Sequence, residues 1–177
     1  MYQKSFSSAL VLALVCASLT LANPLQQDGG ADGLVCVEAE NYDATVEQGG
    51  HYYELQTEVA GYSGEGYMIS LPNSGAGNND NFLTNSPRMD YEIEFVKTGT
   101  HYVWVRAYAP TDPATGNNDS LHSGLDYQHI DTADRIGNFG ANWTWTNTAY
   151  QDPERIMFDV DSAGLHTFNI WMREDGS

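Results

Sequence analysis

Met89-Asp90-Tyr91-Glu92-Ile93-Glu94-Phe95-Val96-Lys97-Thr98-Gly99-Thr100-His101-Tyr102-Val103-Trp104-Val105-Arg106-Ala107 alternates apolar and polar residues on both sides of a short turn. Met89, Tyr91, Ile93 and Phe95 fall on one face of a strand, and Val103, Val105 and Ala107 on one face of the next. Thr98-Gly99-Thr100 lies between them, so the two runs are expected to pair as a hairpin. A period of two sustained over both runs argues for a half-buried antiparallel sheet.

The rest of the chain repeats this grammar. Ile156, Phe158 and Val160 alternate, Ser162-Ala163-Gly164 turns, and Leu165 to Met172 follows as a second expected hairpin. Further strands are expected at Val35 to Glu40, Gly66 to Leu71, Leu121 to Tyr127 and Asn142 to Thr146. No stretch keeps a 3.6-residue period long enough for a sizeable helix. At least eight short strands between Gly, Asn, Asp and Pro clusters predict an all-β fold, an antiparallel β-sandwich, with a barrel as the alternative. Residues 34–177 form that domain, and residues 23–33 read as a linker. The tracts Pro72 to Pro87 and Pro110 to Ser120 are long polar loops of the kind that carry function.

Residues 1–22 read as a signal peptide. Lys4 precedes an apolar run from Ala9 to Val15, and Thr20-Leu21-Ala22 resembles a small-residue cleavage site. The run is shorter than the roughly 20 apolar residues of a membrane span, so a secreted, extracellular protein with no membrane span is expected. Cys16 leaves with the signal, and Cys36 then stands alone, without an internal disulfide partner. The sequence carries 24 acidic residues against 7 Lys and Arg, a formal net charge of −17. That balance disfavours nucleic acid or an anionic membrane as partner. It suits solubility, and it also supplies carboxylates for divalent cations.

Three constellations carry chemistry. In Val37-Glu38-Ala39-Glu40-Asn41-Tyr42 a strand would place Glu38 and Glu40 on one face, roughly 7 Å apart. The pair suits a hard cation such as Ca²⁺, or else a solvated strand edge whose charges discourage aggregation. In Gly140-Ala141-Asn142-Trp143-Thr144-Trp145 two indoles sit two residues apart. One is expected in the core and one facing a ligand, with Trp143 favoured because it adjoins the loop. An indole face stacks on the apolar face of a pyranose while neighbours such as Asn142 bond its hydroxyls. The third is Asn117 to Asp126, where His122 and Asp126 could read sugar hydroxyls, or the segment could simply be turn chemistry. Asn118-Asp119-Ser120 and Asn142-Trp143-Thr144 match the N-glycosylation pattern. No nucleophile elbow, zinc-protease motif, phosphate loop or Cys/His cluster is found, and no carboxylate pair of a glycosidase announces itself. The domain is therefore expected to be non-catalytic.

Four blocks in order now carry a resemblance: Val37 to Tyr42, Gly99 to Tyr108, Asn142 to Trp145 and Ala163 to Gly176. The chain resembles the carbohydrate-binding modules of family 6 and the related family 35, jelly-roll sandwiches of the galactose-binding-like type. The resemblance implies that Glu38 and Glu40 ligate a structural Ca²⁺ and that Trp143 is the sugar platform. It also implies a second aromatic from an earlier loop, for which Tyr62 is the candidate, with His122 and Asp126 corresponding only loosely. Such modules carry one more strand after the Arg173-Glu174-Asp175-Gly176 turn, so the sandwich is expected to lack its last strand here and the chain to be truncated. A downstream catalytic domain is expected in the parent protein.

The function expected from these readings is extracellular binding of a polysaccharide or oligosaccharide. The alternatives are a structural or adhesive subunit of an extracellular filament, whose open edge takes a neighbour's strand, and a hydrolase or lyase with unrecognised acids.

Overall fold

The computed structural model describes residues 24–109, 118–131, 135–149 and 155–176. The signal-peptide reading of residues 1–22 lies outside them, as does most of the loop from Pro110. In chain order the elements are β1 (Leu25–Gln26), β2 (Ala44–Val46), β3 (Tyr52–Gln56), β4 (Tyr67–Leu71), a single helical turn α1 (Phe82–Asn85), and β5 (Arg88–Phe95). There follow β6 (Gly99–Tyr102), β7 (Val105–Ala107), β8 (Leu121–Leu125), β9 (Gln128–His129), β10 (Thr144–Thr146), β11 (Met157–Val160) and β12 (Gly164–Met172).

The fold is an all-β sandwich. One layer is a six-stranded sheet in the order β1-β5-β12-β8-β9, with β2 also on β5. β1 and β2 share the free edge of β5, Leu25 opposite Ile93 and Ala44 opposite Asp90. Opposite this sheet lie three two-stranded ribbons, β6 with β11, β7 with β10, and β3 with β4. The alternation of β5 is kept: Met89, Tyr91, Ile93 and Phe95 are all buried. They meet Val160 and Phe158 of the opposite layer at one end and Tyr53 and Met68 at the other. Val103, Ile136, Phe139 and Ile156 build the third part of the core.

Neither expected hairpin forms. β5 pairs with β12 and β6 with β11, so both connections are arches that carry the chain from one layer to the other. Alternation says which face is buried but not which strand lies alongside, and an arch buries the same face as a hairpin does. Gly99 (φ +97°) and Gly164 (φ +135°) open the two arches in backbone conformations that L side chains rarely adopt. Consecutive strands do pair in β3 with β4 and, through a two-residue turn, in β8 with β9. The two residues of that turn, Asp126 and Tyr127, both have positive φ (51° and 63°), which fits the right-handed twist of the flanking strands.

The strand expected at Val35 to Glu40 is also corrected. The segment is extended but unpaired, and it turns at residues 39–40 with Asn41 N donating to Glu38 O at 2.9 Å. Val35 and Val37 still pack onto the core. They gain no ladder, because β1 and β2 already occupy the only open edge of β5. Leu25 and the buried Gln27 show that part of the linker-like stretch packs on the domain. Among the described residues, no helix is long and apolar enough to cross a membrane.

The turn after β12 is fastened by Asp175, which is fully buried. Its carboxylate accepts from Ser74 N and Oγ (both 2.6 Å) and Gly75 N (3.0 Å), with His51 Nε2 at 3.3 Å. Burial alone would raise this carboxyl, but the hydrogen bonds from Ser74, from the backbone and from His51 outweigh it and hold it below the usual range. A depressed carboxyl stabilises the fold above its unfolded pKa, and that contribution is lost as pH falls through the folded value. Wild-type stability is therefore expected to drop as pH falls below about 4. Asp175→Asn should be less stable at pH 7 and lose less on acidification. Urea midpoints at pH 7 and pH 3 check this, and an identical acid loss in both proteins would contradict it.

Candidate functional site

The aromatic residues gather where the segment leading into β10 meets the loop 59–65. The indole N–H of Trp143 donates to Ala60 O at 3.0 Å. A Cβ on Gly61, which has φ +107°, would lie 2.7 Å from Trp143 Cδ1, so only glycine lets the loop close onto the indole. The Tyr67 ring meets Trp143 edge-on at 5.6 Å, Tyr108 lies at 5.8 Å, and Tyr62 continues the cluster at 6.2 Å from Tyr67. The Arg106 guanidinium sits 5.2 Å from the Trp143 ring centre and donates to Gly61 O at 2.8 Å. Cross-strand register explains this company. Arg106 faces Trp145 across the β7–β10 ribbon, Tyr108 and Trp143 lie just beyond its paired residues at the groove, and Val105 and Ala107 pack inward.

A groove leads inward from this cluster to Tyr53 and Tyr91. Burial raises the phenols of Tyr53, Tyr91 and Tyr67, so they stay protonated and available as donors. Tyr91 donates to Ala39 O at 2.8 Å.

The same loop carries the acidic pair. Ser63 Oγ donates to Glu38 Oε2 at 2.8 Å, and Glu65 N donates to Glu40 Oε1 at 2.6 Å. Gly64, at φ +72°, passes so close that a Cβ would lie 2.0 Å from Glu40 Oε1. Glu40 Oε2 is buried and accepts no hydrogen bond. A buried carboxylate oxygen without a donor is costly, and a bound cation would satisfy it. No group of three His, Cys, Asp or Glu side chains is placed to hold a metal among the described residues. A calcium ion accepts carbonyl and water oxygens beside carboxylates, so the pair fits as part of a ligand set.

Of the expected sugar-binding residues, Trp143 and Tyr62 share one cluster through Tyr67, and Asn142 is exposed directly before Trp143 in the chain. Trp145 lies beside them on the outer face, 57% exposed. Neither indole of the pair is a core residue, contrary to the expectation for one of them. His122 is a correction: its ring is fully buried, stacked on Phe82 at 3.8 Å with Nε2 bonded to Asn78 O, and it offers no surface to a ligand. Asp126 is placed apart, in the β8–β9 turn. It holds His166 Nδ1 at 2.7 Å and accepts from Thr167 N at 2.9 Å. Arg106, Tyr67 and Tyr108 were not anticipated. Outward alternation of Trp104, Arg106 and Tyr108 along one strand was the signal that could have found two of them.

Residues 30–177 match the family described as "Glycosyl hydrolase family 115 C-terminal domain". The chain belongs to this family. This supports the coarser part of the resemblance, a glycan-related β-sandwich domain, and does not single out family 6. A relative of this family 115 C-terminal domain, "Uncharacterized protein P23" of Formosa agariphila, is 28% identical over 82% of this chain. The alignment spans 42% of that relative's length, so the chain covers about two-fifths of it. Among solved structures, a family 35 carbohydrate binding module from Clostridium thermocellum is similar with 17% identity and a TM-score of 0.43. That similarity covers 76% of this chain and 91% of the module.

Proposed function

We propose that this family 115 C-terminal domain holds a polysaccharide outside the cell, without cleaving it, on behalf of a longer glycosyl hydrolase. The observation that carries the reading is the Trp143 cluster. An indole fixed by Ala60 O, flanked by Tyr67, Tyr108 and Arg106, stands at the mouth of a groove. An aromatic wall with a few placed polar groups is what a sugar ring requires. Trp143 supplies the stacking face, Tyr62 widens it, and Asn142 and Arg106 supply donors to hydroxyls. Membership of a glycosyl hydrolase C-terminal family supports a glycan as the ligand.

Calcium belongs to this reading as a structural ion. Glu38 and Glu40 would hold it, and its charge would offset the repulsion of the two carboxylates. It would stiffen loop 63–65, whose other end grips Trp143. Secretion follows from the signal-peptide reading of residues 1–22.

Affinity electrophoresis through gels containing soluble polysaccharides tests the proposal. The domain should be retarded by at least one polysaccharide, less so in the presence of a chelator, and with no release of reducing ends. Unretarded migration through the whole panel contradicts glycan binding, and release of reducing ends contradicts the non-catalytic assignment.

A further inference from the structure

Residues 102–107 keep one period of two across the junction of β6 and β7. Val103, Val105 and Ala107 pack inward on the core, so Tyr102, Trp104 and Arg106 turn to the outer face. Trp145 stands opposite Arg106 on β10 and shares that face. Diagonal neighbours of this kind lie roughly 7–8 Å apart, which brings Trp104 within reach of Trp145. Tyr102 is 54% exposed, Trp104 55% and Trp145 57%. Burial of such rings is strongly favourable, so three of them left in solvent on one sheet face mark a surface made for contact.

The shape and charge of this face select what lies on it. None of the three rings lines the groove beside Trp143. They stand on an open sheet face, which touches a ligand from one side only. A free polysaccharide chain loses its flexibility on binding there and gains fewer contacts than a groove supplies. Chains already packed side by side in a solid have lost that freedom beforehand. Such a solid presents rows of apolar pyranose faces, onto which aromatic rings stack. Arg106 and Arg155 border the rings, Arg106 opposite Trp145 and Arg155 with its guanidinium 5.8 Å from the Tyr102 ring centre. Both supply donors for hydroxyls. A second copy of the chain is disfavoured, because the formal net charge is −17 and two such chains repel. A polyanionic glycan meets the same repulsion, which leaves a neutral one.

We propose that the outer face formed by Tyr102, Trp104 and Trp145 adsorbs ordered, insoluble polysaccharide of neutral sugars, as a second platform distinct from the Trp143 groove. Along the strand, Tyr102 and Arg106 are ~13 Å apart, enough to lie over more than one sugar ring. Arg106 links the two platforms, with its guanidinium over the Trp143 ring and Trp145 across the ribbon. The groove takes a single chain, and the face rests on the packed surface from which such a chain comes. The inference rests on the glycan reading of the domain but not on the Trp143 site.

Adsorption to microcrystalline cellulose and to crystalline chitin, measured by depletion of protein from the supernatant, tests the proposal. The unaltered chain is compared with Trp143→Ala and with two double variants, Trp104→Ala with Trp145→Ala and Tyr102→Ala with Trp104→Ala. The unaltered chain should adsorb to at least one of the two solids. Each double variant should lower the partition coefficient by about tenfold or more, the loss of two stacked rings, and keep its retardation by soluble polysaccharide. Trp143→Ala should do the reverse, losing soluble binding and keeping adsorption. No adsorption by the unaltered chain, or double variants that adsorb as it does, overturns the proposal and leaves the Trp143 reading standing. Equal loss of adsorption in Trp143→Ala also overturns it, since one platform then serves both. Adsorption without soluble binding in the unaltered chain supports this face and overturns the Trp143 reading. An unaltered chain that sediments as a dimer, dispersed in the double variants, overturns the proposal by assigning the face to a second copy.

Discussion

Trp171→Ala is expected to lower the unfolding free energy by about 3–5 kcal/mol, the range for removing a large aromatic from a packed core. Trp171 is 1% exposed and sits on β12 between its two partners, opposite Arg88 of β5 and His122 of β8. Phe82 packs edge-on against it at 5.7 Å. Gly124 lies so close that a Cβ there would be 2.6 Å from its Cζ3. The backbone of β8 thus rests on the indole, and alanine would leave a cavity that the sheet cannot close. Its Nε1 is buried with no hydrogen-bond partner, so the cost is packing and transfer, with no hydrogen bond to subtract. For a domain of this size, each kcal/mol is worth about 2–4 °C, and a fall of roughly 10 °C follows. Trp145→Ala provides the contrast. At 57% exposure its removal should change stability by less than about 0.5 kcal/mol. Comparable losses in the two variants would show that the core is misplaced.

Trp143→Ala is expected to weaken polysaccharide binding by about tenfold or more, since the stacking contributed by one aromatic face is on the order of 1–2 kcal/mol. The indole also anchors its surroundings. Without it, Ala60 O loses its donor and Arg106 loses the ring it covers, while the bend at Gly61 loses its support. Part of the loss should therefore come from disorder of the loop, and Trp143→Tyr should recover part of the affinity by restoring a ring. Trp145→Ala serves again as control. If it, and not Trp143→Ala, removes binding, the sugar lies on the outer face of the β7–β10 ribbon.

The readable part of this fold was the part written in alternation. Met89 to Phe95 and Ile156 to Val160 revealed which side chains face inward, because burial of a sheet face imposes a period of two on the residues themselves. Pairing was not readable in the same way. Nothing in Thr98-Gly99-Thr100 distinguishes a hairpin from an arch, since that choice depends on where β11 and β12 lie, some 60 residues later. Glu38 and Glu40 were recognised as a pair, but by assuming a strand. They converge because loop 63–65 supplies Ser63 Oγ and Glu65 N to them, a contact between distant segments. Trp143 was legible as an aromatic beside a loop. Its partners Tyr67 and Arg106 were not, because they belong to strands whose neighbours only the folded sheet decides. His122 failed for the opposite reason. A histidine in a polar run looks exposed, yet its position on β8 turns it onto Phe82.

The central claim is that this domain binds a glycan at Trp143 without transforming it. Calorimetric titration of the unaltered protein and of Trp143→Ala, with the polysaccharide that retards the domain most, tests it directly. The account predicts saturable binding with a dissociation constant in the micromolar to millimolar range, about −4 to −8 kcal/mol. It also predicts binding at least about tenfold weaker in the variant and no new reducing ends in either. Equal affinity of the two proteins, or no heat of binding in the unaltered one, would contradict it.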